Sequence, residues 1–153
     1  MDIPVTPGRA TVDFNFRFDS LEPLMAPRSL AIVGASSSPD KIGGIPLDYA
    51  LRYGFDGPVF PINPKGGQIQ GLTAATSLRD VGAPIDMAIM AVPAALVEGA
   101  IDDAIAAGVR SVVLFSSGFA EVGDEGKAAQ QRLQARVREA GLRLVGPNCL
   151  GLI

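Results

Sequence analysis

Hydrophobic residues gather in five short runs separated by small or polar residues: SLAIVG (29–34), PVFPIN (58–63), DMAIMAV (86–92), SVVLFS (111–116) and LRLVG (142–146). Within each run the apolar positions are mostly consecutive, as in parallel strands covered on both faces. Between the runs the period changes. Leu96, Val97, Ile101 and Ile105 recur at the spacing of one helix face, as do Leu133 and Val137. Three helical stretches stop alike, at YGF (53–55), AGV (107–109) and AGL (140–142). There Gly54, Gly108 and Gly141 can turn left-handed, and the apolar residue that follows packs back on the helix. Pro93 and Ala94 mark one helix start, and Asp124 and Glu125 another. Pro46 fits only the first turn of a helix that begins near Gly43 and Gly44. The weakest stretch is QIQGLTAATSL (68–78), which predicts a short strand near Gly71 to Ala74 and a short helix from Ser77.

This alternation predicts an α/β fold, a Rossmann-like, doubly wound and mainly parallel sheet with helices on both faces, most simply in the strand order 3-2-1-4-5-6. The domain is expected over residues 20–153, with Ser20 capping a short helix over LEPLMA that ends before Pro27. Residues 1–19 carry Pro4, Pro7 and Gly8 without a sustained period and are expected to be an arm, mobile or docked elsewhere.

Composition adds exclusions. A chain of 153 residues, 48% hydrophobic, is one ordinary globular domain. The net charge of −3 and an isoelectric point near 4.8 offer no basic stripe, so nucleic acid is not an expected partner. The start MDIPVTPGRATVDFNF lacks the pattern of a signal peptide, and no apolar run approaches the roughly 20 residues of a membrane helix. A cytoplasmic protein with no membrane association is expected. The single cysteine, Cys149, cannot form an intrachain disulfide and reads as a small buried residue rather than a nucleophile. There is no histidine, so Ser-His-Asp and Cys-His pairs, His-ligated zinc and phosphohistidine chemistry cannot arise within this chain. No catalytic or metal-ligating residue is assigned.

Doubly wound sheets bind ligands beyond the carboxyl ends of their strands, where the strand order reverses. The first strand ends in VGASSSPDKIGG (33–44), which departs from the dinucleotide fingerprint because Ser36 stands where a second glycine is required. Gly34, Ala35, Ser36 and Ser37 at the strand end, and Gly43 at the helix start, are candidates to hold an anion, phosphate first, on exposed N–H groups. The alternative is that these glycines serve only a tight turn without a ligand. At the end of the second strand, where an NAD site usually carries Asp or Glu, stand Asn63, Pro64 and Lys65. A lysine there suits a phosphorylated ribose, as in NADP or coenzyme A, or is simply solvated. Val92 and Pro93 end the fourth strand; Ser116, Ser117 and Gly118 end the fifth and could line a nucleotide pocket or form an ordinary loop. Asn148, within GPNCLGL (146–152), can hydrogen-bond backbone.

Taken together, PRSLAIVGASSSPDKIGG, GPVFPINPK, DMAIMAVPAALV, SSGFAE and GPNCLGLI resemble the coenzyme A-binding domain of the nucleoside-diphosphate-forming acyl-CoA synthetases, the acetate–CoA ligase (ADP-forming) type, related to the succinyl-CoA synthetase alpha subunit. The resemblance covers residues 20–153. It implies that Gly34, Ser36 and the turn through Lys41, Ile42 and Gly43 hold coenzyme A phosphates, that Lys65 contacts coenzyme A, and that Ser116, Ser117 and Gly118 add contacts beyond the fifth strand. It also implies further ligase domains or subunits, of phosphohistidine and ATP-grasp type, and a chain that binds coenzyme A or acyl-CoA without completing the ligase reaction alone. Two alternatives remain: a regulatory module binding NADP(H) or NAD(H), and the coenzyme A-binding regulatory domain of a protein lysine acetyltransferase, whose catalytic domain this sequence does not show. On the anion-cradle reading, Gly43→Val is expected to impair binding more than folding.

Overall fold

The computed structural model describes residues 21–149. The expected arm over 1–19, the Ser20 cap and residues 150–153 lie outside them. The chain runs α1 (Glu22–Met25), β1 (Leu30–Val33), α2 (Ile45–Arg52), β2 (Val59–Ile62), β3 (Gln68–Ile69), β4 (Leu72–Thr73), β5 (Met87–Met90), α3 (Ala94–Ala106), β6 (Ser111–Leu114), α4 (Asp124–Glu139) and β7 (Arg143–Val145). Five strands form one wholly parallel sheet in the order β2-β1-β5-β6-β7. The registers pair Val33 with Ile62 and Met90, and Met90 with Leu114. The residues that follow these four therefore leave the sheet along one rim.

The expected third strand is nearly absent from the sheet. Beyond β2 only Ala75 pairs, as a single parallel bridge to Ile62, held by Ala75 N–H to the Pro61 carbonyl and Asn63 N–H to the Ala75 carbonyl. The residues before it fold back as a separate antiparallel hairpin, β3 on β4, around the two-residue turn Gln70-Gly71. Both turn residues have positive φ, 49° and 87°, the pattern of a tight hairpin turn whose twist matches its strands. Once the chain reverses there, Ala75 alone remains to run alongside β2. The short helix expected from Ser77 is a single 3-10 turn over Leu78–Val81.

All three glycine stops form as the sequence predicts. Gly54, Gly108 and Gly141 take φ of 68°, 70° and 68°. The next residues, Phe55, Val109 and Leu142, donate N–H bonds of 2.9 Å back to Ala50, Ala104 and Val137, closing each helix end. Val109 and Leu142 are buried there. α2 and α3 start at proline as expected, with Pro46 in the first turn of one and Pro93 capping the other.

Helices cover both faces. On one, Val97, Ile101 and Ala104 of α3 and Leu133 and Val137 of α4 pack on Ala31, Val33, Ala88, Met90, Val112 and Leu114. Each Val, Leu, Ile or Met among them contributes about 1.5–3 kcal/mol by leaving water. Leu96, expected on this face, is 59% exposed; the helix turns Val97 to the sheet and Leu96 outwards. On the other face a smaller cluster joins Leu47 of α2 to Ile32, Ala35, Ile69 and Ala74. Among the described residues no helix is long and apolar enough to cross a membrane.

Candidate functional site at the strand switch point

The rim where β1 and β5 lie side by side is the point at which the chain reverses its direction across the sheet. There the chain leaves β1 through Gly34, whose φ of 83° a side chain would strain. A Cβ on Gly34 would also drive into the Ala91 carbonyl at the end of β5. Ala35 is buried, Ser36 half-buried and Ser37 exposed. The loop then folds over itself. Ser36 N–H reaches the Gly43 carbonyl (3.2 Å), Ser38 N–H the Ser36 hydroxyl (3.2 Å), and the Gly44 and Ile45 N–H groups the Lys41 carbonyl (2.7 and 2.9 Å). Among the described residues, the N–H groups of Ser37, Ile42 and Gly43 have no hydrogen-bond acceptor. With the N–H of Asp40, which also has no acceptor among these residues, they are donors at the threshold of α2.

Gly43 departs from the expectation placed on it. It is buried, and a Cβ there would meet the Gly34 carbonyl oxygen at far less than contact distance. A Cβ on Gly44 would likewise strike the Ser38 carbonyl. The two glycines are required by the close passage of backbone over backbone, so Gly43→Val damages the loop before any ligand arrives.

Asn63, after β2, is fully engaged. Its side-chain Nδ2 donates to the Ala35 carbonyl (3.0 Å), and its Oδ1 accepts the Lys65 N–H (3.0 Å). It fastens the β1 turn to the β2 turn. Pro64 and Lys65 are exposed. The Lys65 ammonium has no carboxylate partner among the described residues.

On the β5–β6 side, Val92 is half-buried and Pro93 exposed. Ser116 is buried and its hydroxyl donates to the Val92 carbonyl. That hydroxyl bolts the end of β6 to the end of β5, so its proton is already used. Ser117 stands exposed beside it, and Gly118 has a φ of 100°. Asn148 is exposed, with φ 55°, and its N–H donates to the Ser116 carbonyl (2.9 Å), which sets the GPN turn beside the β6 loop. Cys149, expected to be buried, is half-buried at the same edge, its N–H 3.4 Å from the Leu114 carbonyl.

Two residues that periodicity did not single out shape this rim. The Glu121 carboxylate accepts the N–H groups of Gly118 (2.5 Å) and Phe119 (3.2 Å), fixing the loop after β6. The Gly118 N–H and Glu121's own N–H hold that carboxyl below the usual glutamate range, with burial opposing weakly and the Phe119 N–H adding to the lowering. Gln70, in the β3–β4 turn, donates from Nε2 to the carbonyls of Ser36 (2.9 Å) and Gly44 (3.1 Å). The only signal that could have found Gln70 is its position before Gly71 in a two-residue turn, where Asn or Asp is the usual choice.

A doubly wound α/β domain with a glycine-lined loop at the strand reversal is a nucleotide-type binding fold. Comparison with known proteins narrows that class: residues 28–153 match the family described as "CoA binding domain", and the chain belongs to this family. It is 38% identical over 138 residues to the alpha subunit of acetate–CoA ligase (ADP-forming) I of Pyrococcus furiosus, covering 88% of this chain and 30% of the relative. Identity to acetate–CoA ligase (ADP-forming) II of Archaeoglobus fulgidus is 33%, covering 92% of this chain and 21% of the relative. Among solved structures, acetyl-coenzyme A synthetase 1 of Ca. Korarchaeum cryptofilum, in complex with phosphate and ADP, superposes with a TM-score of 0.81 at 42% identity, over 86% of this chain and 28% of that one. A hypothetical protein of Pyrococcus horikoshii matches over 84% of its own length, with a TM-score of 0.66 at 26% identity. The chain thus spans less than a third of each of the three synthetase relatives.

Proposed function

We propose that the rim formed by residues 34–43, 63–65, 92–93 and 116–118 binds coenzyme A or an acyl-CoA, and that the domain positions the thiol for thioester chemistry completed by other domains or subunits of a ligase. The observation that carries this reading is the state of the second strand's end. An NAD site usually carries a carboxylate there to accept from the ribose 2′-hydroxyl. Here the side chain in that place, Asn63, spends its amide on the Ala35 carbonyl and the Lys65 N–H, and the next polar group is the unpaired Lys65 ammonium. A phosphorylated ribose suits that end better than a bare diol. The pyrophosphate would take the N–H groups of Ser37, Ile42 and Gly43, with Lys41 exposed at the same turn. Gly118 and Ser117 would approach the ligand from the β6 side, and the chain itself would supply no acid, base or nucleophile. The phosphate relay of an ADP-forming ligase would come from a histidine outside this chain.

A thermal-shift series with coenzyme A, acetyl-CoA, NAD, NADP and ATP tests this directly. A ligand that binds only the folded state, supplied at about 100 times its dissociation constant, stabilises by about 2.7 kcal/mol. Coenzyme A species should give the largest shift. A larger shift with NAD or NADP would overturn the reading.

Lys65→Ala separates the ribose phosphate from the rest of the ligand. It should weaken coenzyme A about ten-fold, the loss of one charge-assisted contact, while dephospho-coenzyme A is affected far less. Because Lys65 is exposed, the thermal midpoint without ligand should stay where it is. Equal losses for both ligands would move Lys65 to the pyrophosphate; no loss would leave it a solvated residue.

A further inference from the structure

Gln70 occupies a backbone position that disfavours it. At φ 49° it sits in the left-handed region, where residues other than glycine, asparagine and aspartate are uncommon. The first position of a two-residue hairpin turn takes Asn, Asp or Gly by preference. A strained residue that persists is held by its surroundings, and here the holding groups are visible. The side-chain Nε2 crosses to the β1–α2 loop and donates to Ser36 and Gly44, 34 and 26 positions away in sequence. Those two carbonyls bracket the segment that carries the unpartnered N–H groups of Ser37, Ile42 and Gly43. An asparagine would relax the turn but fall one methylene short of this reach.

We propose that Gln70 is a positioning residue for anion binding: one amide clamps both ends of the 36–44 loop and presents its free N–H groups, which makes the β3–β4 hairpin part of the coenzyme A site. This rests on the coenzyme A reading above. The hairpin is otherwise small, two residues per strand, with Ile69 in the core beneath it. The side chain at the turn gives it a second function besides covering the sheet.

The clamp acts on the loop that would hold the pyrophosphate, not on the ribose phosphate at Lys65. Removing it should therefore weaken coenzyme A and dephospho-coenzyme A by the same factor, unlike Lys65→Ala. Gln70→Asn is the first variant, because it suits the turn and keeps folding intact. Titration calorimetry should show both dissociation constants rising about ten-fold, with the urea midpoint unchanged or slightly raised. Gln70→Glu is the second. It keeps the length but sets a carboxylate against two carbonyls at neutral pH and regains one donor when protonated. Its affinity deficit relative to the wild type should shrink between about pH 7 and about pH 5. A merely structural role would leave both dissociation constants of the folded protein, and this pH profile, unmoved. Wild-type affinity in Gln70→Asn, or a deficit in Gln70→Glu that does not change with pH, overturns the clamp alone. Failure of the wild type to bind coenzyme A at all overturns the functional reading, and the clamp with it.

Discussion

Gly43→Val should lower the stability of the domain by about 3 kcal/mol, at the upper end of the cost of overpacking a filled site, with any effect on ligand affinity secondary. The β1–α2 loop passes so close to the end of β1 that the first side-chain carbon on Gly43 would overlap the Gly34 carbonyl. Gly34 cannot retreat. A Cβ built on Gly34 would itself strike the Ala91 carbonyl of the neighbouring strand, and the residue's φ of 83° is already fixed by the turn. Relief must come from moving the start of α2, which would break the Ser36–Gly43 and Gly44–Lys41 bonds and draw Leu47 out of its cluster. Gly43→Ala places the same carbon in the same space and should suffer most of the loss. Urea unfolding measures it: the midpoint should fall with the slope unchanged. A midpoint within error of the wild type would mean that the loop has another path past Gly34.

The crowding at Gly43, against the expectation that a valine there would spare the fold, shows what local pattern can and cannot carry. The five strands, the three glycine stops and the proline-marked helix starts are local events, written in consecutive residues, and each formed where the pattern places it. The glycine pair at 43–44 was legible as small residues before a helix. Its reason lies in the carbonyls of Gly34 and Ser38, and no periodicity reports which backbone passes over which. The third strand failed for a related reason: its apolar residues are compatible with a strand, but the Gln70-Gly71 turn claims them for a local hairpin and leaves Ala75 to make one bridge. The serines after β6 looked alike in the sequence. The register buries Ser116 against Val92 and leaves Ser117 outside. Gln70 was invisible because its value is in the carbonyls of Ser36 and Gly44, which only folding brings to it. Glu121, whose N–H partners are two and three residues away, stood in SSGFAE but was given no role.

At the opposite ends of the strands, far from the proposed site, Asp86→Ala should cost about 2–3 kcal/mol. Asp86 is only 5% exposed. Its carboxylate accepts the Arg28 N–H (3.0 Å), Arg28 Nε (3.2 Å) and the Arg110 guanidinium (3.0 Å), tying the approach to β1 and the start of β6 to the start of β5. Breaking a buried ion pair by removing one partner costs about 3–5 kcal/mol when the other charge is stranded. Here the Arg28 and Arg110 side chains are 74% and 42% exposed, so both cations relax into water and the cost falls below that range. What remains is the orphaned Arg28 N–H and the lost packing of the carboxylate. Burial by itself would raise the Asp86 pKa, but the Arg28 N–H and the two guanidinium groups outweigh it and hold the carboxyl below the ordinary aspartate range. A carboxyl lowered in the folded state contributes stability above its unfolded pKa of about 3.9 and loses it as pH falls through the lower folded value. The wild type should therefore weaken on acidification below about pH 4, and Asp86→Ala should weaken less steeply there. Some slope should survive, since the carboxyls of Asp80 and Glu121 are also held low. Urea midpoints for both proteins from neutral pH into the acid range measure the difference. At neutral pH the folded fraction of Asp86→Ala should bind coenzyme A as the wild type does, because its contacts lie at the other end of the sheet. A parallel acid limb in the two proteins would show that Asp86 carries none of the pH dependence. A loss of affinity matching the loss of stability would show that the strand starts and the binding rim are not independent.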